Sequence, residues 1–527
     1  MKMQRSIKKM IGVALLFLFT TIPLFGEWEP DHRLTDDPGE SYTFYNGARN
    51  TWNVAAWGDI VHVVWCDDFE DPVWHYEEVY YRRSLDGGQT WGDVTRLSFS
   101  PRIVKSELPT IAVSGSNVHI AWSTSVDTWF NDIFYRRSTD AGETWQDTVR
   151  LTYSPDTMRY VSSSATIGVK GKNVYVVYTR RSAPLLDGGN LETICFRHST
   201  DKGVTWEPEV HLTNGIDAAN SPSVAVSNFM LTPDFSPNQD SEPSTEKPYA
   251  LKPGHKAHIV WSDGRDGTHN EIYYQCISSW IGEIWSCKRL TYTGCVSLQP
   301  AVAVSGSKVH VVWEEHTHNA GNKIFYKRSI NGGRTWGPDI PLINMGEYSN
   351  ALNPSITVSG SNVHVVWENF QNGRWLYYKR STNHGSCWEP ETCLTANGYY
   401  WSGSASVAVS GPRVHMVWTD YRDDNCEIYY KRNPTGNPFN PGSASANEIQ
   451  DTDLGSVTEQ LHVVPNPFVS YARVLGCEND DFLLYDITGR HLGIHKGNKI
   501  GADLSPGVYF LKGLSMSSTP VRIIKVE

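Results

Sequence analysis

Apolar and polar positions follow one repeating order along most of this chain. The clearest copy runs from Ser355 to Trp388, SITVSGSNVHVVWENFQNGRWLYYKRSTNHGSCW. It holds an apolar run, a Ser-Gly-Ser-Asn turn, the run VHVVW, a polar loop, the run LYYKRS and a Gly-containing turn ending in Trp388. Short β-branched and aromatic runs punctuated by Gly and Asn predict strands joined by tight turns. One copy is therefore a four-stranded sheet, too small to bury both faces alone. The second-strand pattern returns at Val61–Trp65, Val118–Trp122, Val174–Tyr178, Ala257–Trp261, Val309–Trp313, Val363–Trp367 and Val414–Trp418. Sheets of this size stack radially, which predicts an all-β, seven-bladed β-propeller. One interval is longer because an insert, TPDFSPNQDSEPSTEKPYALKPG, follows the strand ending near Ser227. Its Pro and Ser content predicts a disordered loop.

The turn between third and fourth strands carries a second pattern, S-x-D-x-G-x-T-W. It is intact at Ser84–Trp91, Ser138–Trp145 and Ser199–Trp206. Asn replaces Asp in Ser329–Trp336 and Ser381–Trp388, a decayed copy spans Ser278–Trp285, and the seventh repeat stops at Asn433 without one. Asp or Asn folds back onto backbone N–H groups of its own turn. Gly supplies angles that a β-carbon forbids, and Trp plugs the seam between sheets. On these boxes the chain resembles the sialidase-like Asp-box propellers over about residues 27–433. The resemblance implies a structural role for Asp86, Asp140, Asp201, Asn331 and Asn383, on the face away from the active site.

A Pro-, Gly- and Ser-rich linker, 434–457, precedes a last module, 458–527. There VVPNPF, FLLYDITGRHL, LSPGVYFLKG and RIIKVE read as strands separated by Asn-Pro, Thr-Gly and Pro-Gly turns, a small β-sandwich. VPNPF, YDITGR and SPGVYFL closely resemble the type A sorting domain of type IX secretion cargo. That implies a partner, the type IX secretion machinery, and an exported chain at the cell surface or outside the cell. Residues 1–26 agree. Lys2, Arg5, Lys8 and Lys9 precede an apolar core from Ile11 to Phe19, and Pro23 and Gly26 follow, the pattern of a signal peptide. A membrane anchor is the competing reading, but the run is short against the ~20 residues of a span.

Charge and cysteine content narrow the chemistry further. The net charge is −11, so phosphate backbones are repelled and nucleic acid is not an expected partner. Nine cysteines in an exported chain suggest disulfides. Cys276–Cys287, across the hairpin of the decayed box, is expected first and Cys66–Cys426, at the ring ends, next. His62, His119, His258, His310, His364 and His415 recur in the second strands, with Tyr175 in the third repeat. They cannot share a metal, because equivalent positions on packed sheets lie about 10 Å apart and metal–nitrogen bonds are about 2 Å. They are expected to pack and hydrogen-bond between blades. No metal and no cofactor are expected.

A functional site should occupy the face opposite the boxes, where loops after the second strands differ between repeats and carry charge. Candidate ligand-binding residues are Asp67, Asp263, Arg265, Glu314, Glu368, Asp420 and Arg422, with Tyr399, Tyr400 and Trp401 offering flat faces to a sugar ring. Asp263–Arg265 and Asp420–Arg422 sit in near-copies, WSDGRDGTHNEIYY and WTDYRDDNCEIYY, so bracing of their own turns is the competing reading. Arg49, Arg159 and Tyr348 fall in loops of the same face. The sialidase resemblance stops at the catalytic set. The family's Arg-Ile-Pro motif is replaced by Asn50-Thr51-Trp52-Asn53-Val54, with Pro101-Arg102-Ile103-Val104 as a late echo, and no Tyr–Glu pair can be assigned. The sequence thus favours a noncatalytic surface propeller binding an extracellular glycan or protein. The alternative is a sialidase-like glycoside hydrolase or lyase with a diverged site. Arg33-Leu34-Thr35 matches fourth-strand endings such as Arg96-Leu97-Ser98, which predicts that the amino terminus completes the seventh sheet.

Overall fold

In the computed structural model the described residues lie between Trp28 and Lys525. Residues 1–27, 231–252, 436–462 and 526–527 fall outside them. So do 37–38, 44–51, 69–76, 100–103, 127–129, 154–159, 183–191, 214–218, 268, 279–285, 318–320, 344–348, 371–372, 396–400, 465–469, 475–479, 487–489 and 514–520. The expected leader, most of the insert and linker, and the greater part of the decayed box are among these. The described residues are all-β, and no helix among them is long and apolar enough to cross a membrane.

Each sequence repeat forms an antiparallel sheet. Sheet one holds Val54–Trp57, Ile60–Asp67, Glu78–Ser84 and Thr95–Arg96, with Ser41–Tyr42 added beside the end of its second strand. Sheet two is Ser106–Ser114, Asn117–Ser125, Asn131–Ser138 and Val149–Arg150. Sheet three is Tyr160–Lys170, Asn173–Ser182, Glu192–Ser199 and Val210–His211. Sheet four is Asn220–Met230, Pro253–Asp263, Glu271–Ser278 and Lys288–Arg289. Sheet five is Val296–Ser305, Lys308–Thr317, Gly321–Ser329 and Ile340–Pro341. Sheet six is Ser349–Ser359, Asn362–Asn369, Trp375–Ser381 and Thr392–Cys393, and it joins sheet five through a short parallel pairing of Gly321 and Asn322 with Ser349 and Asn350. Sheet seven has Ser402–Ser410, Arg413–Asp420 and Glu427–Asn433, and its fourth strand is His32–Arg33 from the amino terminus. Small antiparallel sheets in series are consistent with a β-propeller.

Every apolar cluster of the repeat region joins two consecutive sheets. Tyr135, Ala165 and Val176 pack between sheets two and three, and Val260, Leu290 and Val311 between four and five. One cluster joins the last sheet to the first through Leu34, Val61, Trp65, Val417 and Tyr430. Trp65, Trp122, Trp261, Trp313, Trp367 and Trp418, all from second strands, are fully buried in this packing.

A hydrogen-bonded chain recurs at the seams. His62 Nδ1 lies 2.7 Å from Tyr81 Oη, and His119, His258, His310, His364 and His415 meet Tyr135, Tyr274, Tyr326, Tyr378 and Tyr430 in the same way. Each histidine thus pairs within its own sheet, and the tyrosine, not the histidine, crosses to the next. Tyr81 meets the box tryptophan Trp145 edge-on, with ring centroids 4.9 Å apart. Tyr135–Trp206, Tyr274–Trp336, Tyr326–Trp388 and Tyr430–Trp91 repeat the contact. The box glycine closes on the same hydroxyl. A β-carbon at Gly203 would collide with Tyr135 Oη, and its φ of +80° is one that side chains avoid.

Two seams lack a well-formed box and solve the problem differently. The seventh repeat has none, and Trp28 from the amino-terminal segment packs edge-on against Tyr378 instead. Between sheets three and four, Tyr175 stacks on His198 and bonds His255 Nε2 at 3.0 Å.

Both expected disulfides are corrected: Cys66, Cys276, Cys287 and Cys426 are free. Cys276 packs in the cluster shared with sheet five, whereas Cys287 packs against the cluster shared with sheet three. They sit on opposite faces, because the register pairs Tyr274 with Lys288 and strand side chains alternate. Between Cys66 and Cys426 lies the added strand. Tyr42 pairs with Cys66 while the Ser41 N–H donates to the Cys426 carbonyl. Cys387, in the sixth box, is disulfide-bonded and packs with Val463, Ala472 and Phe482 of the carboxy-terminal segment. That segment forms an antiparallel sheet in the order His491–Lys496, Asp481–Asp486, Gly507–Gly513, Val521–Lys525, beside a short pair, Val463–Val464 with Arg473–Val474.

Burial holds the six seam histidines neutral, lowering each from 6.5 to about 3. A folded value below the unfolded one means that the unfolded chain binds more protons in this window. The stability is complete above pH 6.5 and falls as pH drops towards 3. The melting midpoint should therefore decline already between pH 6.5 and about 5, where ordinary carboxylates remain ionised. A midpoint flat over that interval would contradict neutral histidines at the seams.

Candidate functional site

The face away from the boxes is framed by the second-strand ends, and strand alternation sorts their side chains into two kinds. The residue two after the strand tryptophan turns back to its own sheet. Trp65, Trp261 and Trp418 donate Nε1–H to Asp67, Asp263 and Asp420, at 3.2, 2.8 and 2.8 Å. Trp313 does so to Glu315 and Trp122 to Thr124. A serine hydroxyl supplies a further bond: Ser41 to Asp67, Ser297 to Glu315, Ser402 to Asp420.

The residue immediately after the tryptophan points across the seam. Glu314 accepts from the Asn353 N–H at 3.1 Å, and Glu368 from the Ser404 N–H and Asn353 Nδ2, each at 2.6 Å. Ser123 and Ser262 donate to the carbonyls of Ser162 and Ser297 at the equivalent places. The neighbouring first strands are bulged there. Leu108, Ser164, Ser221, Gln299, Asn353 and Ser404 all have φ between +50° and +57°, at register shifts in six first strands. Such angles are uncommon outside glycine. Bulges of this kind re-aim a strand, and those at Asn353 and Ser404 are held by Glu314 and Glu368 of the preceding sheet.

The candidate residues thus have definite places. Asp67, Asp263, Glu314, Glu368 and Asp420 are all buried. Arg265 binds Asp263 through its backbone N–H and Nε, both at 2.9 Å, and lies over the Tyr273 ring. Arg422 binds Asp420 at 2.6 Å and Asp31 at 2.7 Å and lies over Tyr429. Burial would raise the Asp420 carboxyl, but bonds from Arg422, Trp418 and Ser402 outweigh it and hold it below the usual range. Arg49, Arg159, Tyr348, Tyr399 and Tyr400 lie outside the described residues.

Two groups on this face include residues that the sequence did not single out: Glu77 and Glu107 in one, and Phe370 and Arg374, beside the expected Glu368 and Trp401, in the other. Glu77, just before the third strand of sheet one, accepts Lys105 Nζ at 2.8 Å, and its carbonyl accepts the Ser106 N–H. Glu107 is next along that strand and bonds Asn131 Nδ2. Burial, with the Glu77 charge, pushes the Glu107 carboxyl up to about 7 against the pull of Lys105 and Asn131. A carboxyl that titrates near neutrality beside a second carboxylate can hold and release a proton. The second group is a ledge between sheets six and seven. The Arg374 guanidinium lies 4.5 Å from the Phe370 ring centre and 4.4 Å from that of Trp401, and its Nε bonds Glu368 at 2.7 Å. Phe370 and Trp401 are both partly exposed. Glu77, Glu107, Phe370 and Arg374 do not follow the repeat, so a search for recurring positions passes over them.

On the opposite face the box side chains serve their turns. Asp86 accepts the N–H groups of Gln89 and Thr90, Asp201 those of Val204 and Thr205, and Asn331 that of Thr335. Asp140 accepts from Thr144, Asn383 from the Cys387 N–H, and both from the serine that opens the box.

No protein-family model and no curated protein matches the chain. Several solved structures show a likeness. Phage phi92 endosialidase gives a TM-score of 0.43 at 10% identity, over 95% of this chain and 87% of its own. Hadza microbial sialidase Hz136 gives 0.38 at 13% identity, over 67% and 73%. Trypanosoma rangeli sialidase gives 0.39 at 14% identity over 65% of this chain, which spans 56% of that protein. Scores this low assign neither a family nor an activity.

Removing Arg422 takes the guanidinium from the buried Asp420 and from the partly buried Asp31, which keeps Lys431 at 2.9 Å. The Arg422→Ala chain should lose about 1–3 kcal/mol of stability, the scale of a charged hydrogen bond left unmade, in urea unfolding. An unchanged midpoint would mean that the guanidinium braces nothing.

Proposed function

We propose that the chain is an exported seven-bladed β-propeller whose face opposite the boxes binds an extracellular glycan or protein. The circuit of apolar clusters and the amino-terminal strand in sheet seven support seven blades in a closed ring. Closure removes exposed sheet edges, which otherwise invite aggregation. The observation that carries the binding reading is the partly exposed ledge of Phe370, Arg374 and Trp401. Aromatic faces take the apolar side of a pyranose ring, and a guanidinium takes carboxylate or hydroxyl oxygens. Arg265 and Arg422 keep some of their surface open, 23% and 18% by side chain, and can reach a ligand at the same mouth. Asp67, Asp263, Glu314, Glu368 and Asp420 frame it. Residues 458–527 are proposed as a β-sandwich sorting domain read by type IX secretion machinery. A chain ending at residue 454 should then stay in the periplasm, and its arrival at the surface would refute that role.

One observation favours a second reading, glycoside hydrolysis. Hydrolases of this kind use one protonated and one ionised carboxyl group, and Glu107 beside Glu77 offers that pair. A glycan array run beside a panel of fluorogenic glycosides separates the two. The binding reading expects retention on some glycan or protein, lost in Trp401→Ala at unchanged melting temperature, and no turnover. Turnover abolished by Glu107→Gln would replace it with the hydrolase. Binding indifferent to Trp401→Ala would withdraw the ledge.

A further inference from the structure

In several sheets a fourth-strand arginine is clamped to an acid on the third strand: Arg96 to Glu78, Arg150 to Asp132, Arg289 to Glu271 and Arg33 to Glu427. A hydroxyl two residues on, from Ser98, Thr152, Thr291 or Thr35, donates to the same carboxylate. Facing the arginine across the strand pair is an aromatic residue, Tyr80, Phe134, Tyr273 or Tyr429.

Sheet three departs from this at three positions together. Thr193 stands in place of the acid, His211 in place of the arginine, and Cys195 in place of the aromatic residue, directly opposite His211. Glu209, two residues before His211, turns into the same corner. A Cys195 Sγ, a Glu209 oxygen and a His211 ring nitrogen lie within 4.8 Å of one another, and His211 Nε2 is 3.0 Å from Glu209 Oε1. Cys195 is fully buried and free, whereas His211 is open to solvent.

We propose that this corner binds one divalent transition ion of the zinc class through Cys195, Glu209 and His211. Thiolate, imidazole and carboxylate together are the donors such an ion selects over calcium or magnesium. Tetrahedral bonds of about 2.0–2.3 Å place ligand atoms roughly 3.5 Å apart, so small side-chain rotations suffice. His211 is open to solvent, so water can supply the fourth ligand. Glu209 is already aimed by a second layer, the Tyr178 hydroxyl on Oε2 and Arg180 on Oε1. Partners of this kind fix a ligating carboxylate. Arg180 opposes the ion by its charge, and its other amino group is held by the Tyr153 carbonyl. The ion ties third strand to fourth, the task performed elsewhere by arginine and acid. It uses none of the second-strand histidines, which lie in separate sheets.

The test uses the full chain without an affinity tag, stripped with chelator and titrated with Co²⁺. One equivalent should bind with the intense visible absorption of a tetrahedral site and a thiolate-to-cobalt charge-transfer band, both erased by Zn²⁺. Cys195→Ser should lose the charge-transfer band. His211→Arg restores the neighbouring sheets' residue at an exposed position, so it should fold normally and lose the site. Zn²⁺ should raise the melting midpoint of the parent chain and leave that of His211→Arg unchanged. Weak absorption of octahedral type alone, or a charge-transfer band that survives Cys195→Ser, would overturn the proposal.

Discussion

A tyrosine hydroxyl held between a buried histidine and the next sheet's turn governs how these sheets meet. The histidine sits on the second strand and the tyrosine on the third, so their contact fixes the register of one sheet. Tyr274 and Tyr326 then donate to the carbonyls of Gly332 and His384, inside the following box. With the hydroxyl committed onward, the Nδ1–H of His258 or His310 is left as donor to it. The box glycine must be bare to admit the ring, and the box tryptophan closes over its edge. Two bonds and one aromatic contact thus carry the alignment of one sheet into the next.

That requirement explains much of what was legible in the sequence. The spacing of VHVVW and of the boxes gave the strand order, and the Arg-Leu-Thr of the amino terminus gave its place in sheet seven. Trp28 was not legible, because a tryptophan in a segment without a box carries no mark of filling one. The disulfides failed for a similar reason. Proximity of repeats suggested Cys66 with Cys426, but the strand Ser41–Tyr42 that separates them is two residues long and has no pattern to announce it.

The candidate site was legible in location more than in role. Charged residues after the tryptophans were visible, and alternation decides what each does. Asp67, Asp263 and Asp420, two residues on, face their own tryptophan; Glu314 and Glu368, one residue on, cap a bulge in the next sheet. The bulges themselves left no mark, since Leu108, Ser164 and Gln299 are ordinary residues at unusual backbone angles. Glu107, the Arg374 ledge and the Cys195 corner share one property: each is a departure from the repeat. In a scaffold whose repeated groups are occupied with holding sheets together, departures are where other chemistry has room.

The seam between the last sheet and the first should be the same interaction as the internal ones. A double-mutant cycle between Tyr430 and Trp91, run beside one between Tyr135 and Trp206, measures this directly. Coupling of about 0.5–1.5 kcal/mol is expected in both cycles, the range of an edge-to-face aromatic pair. Coupling present at Tyr135–Trp206 and indistinguishable from zero at Tyr430–Trp91 would contradict it.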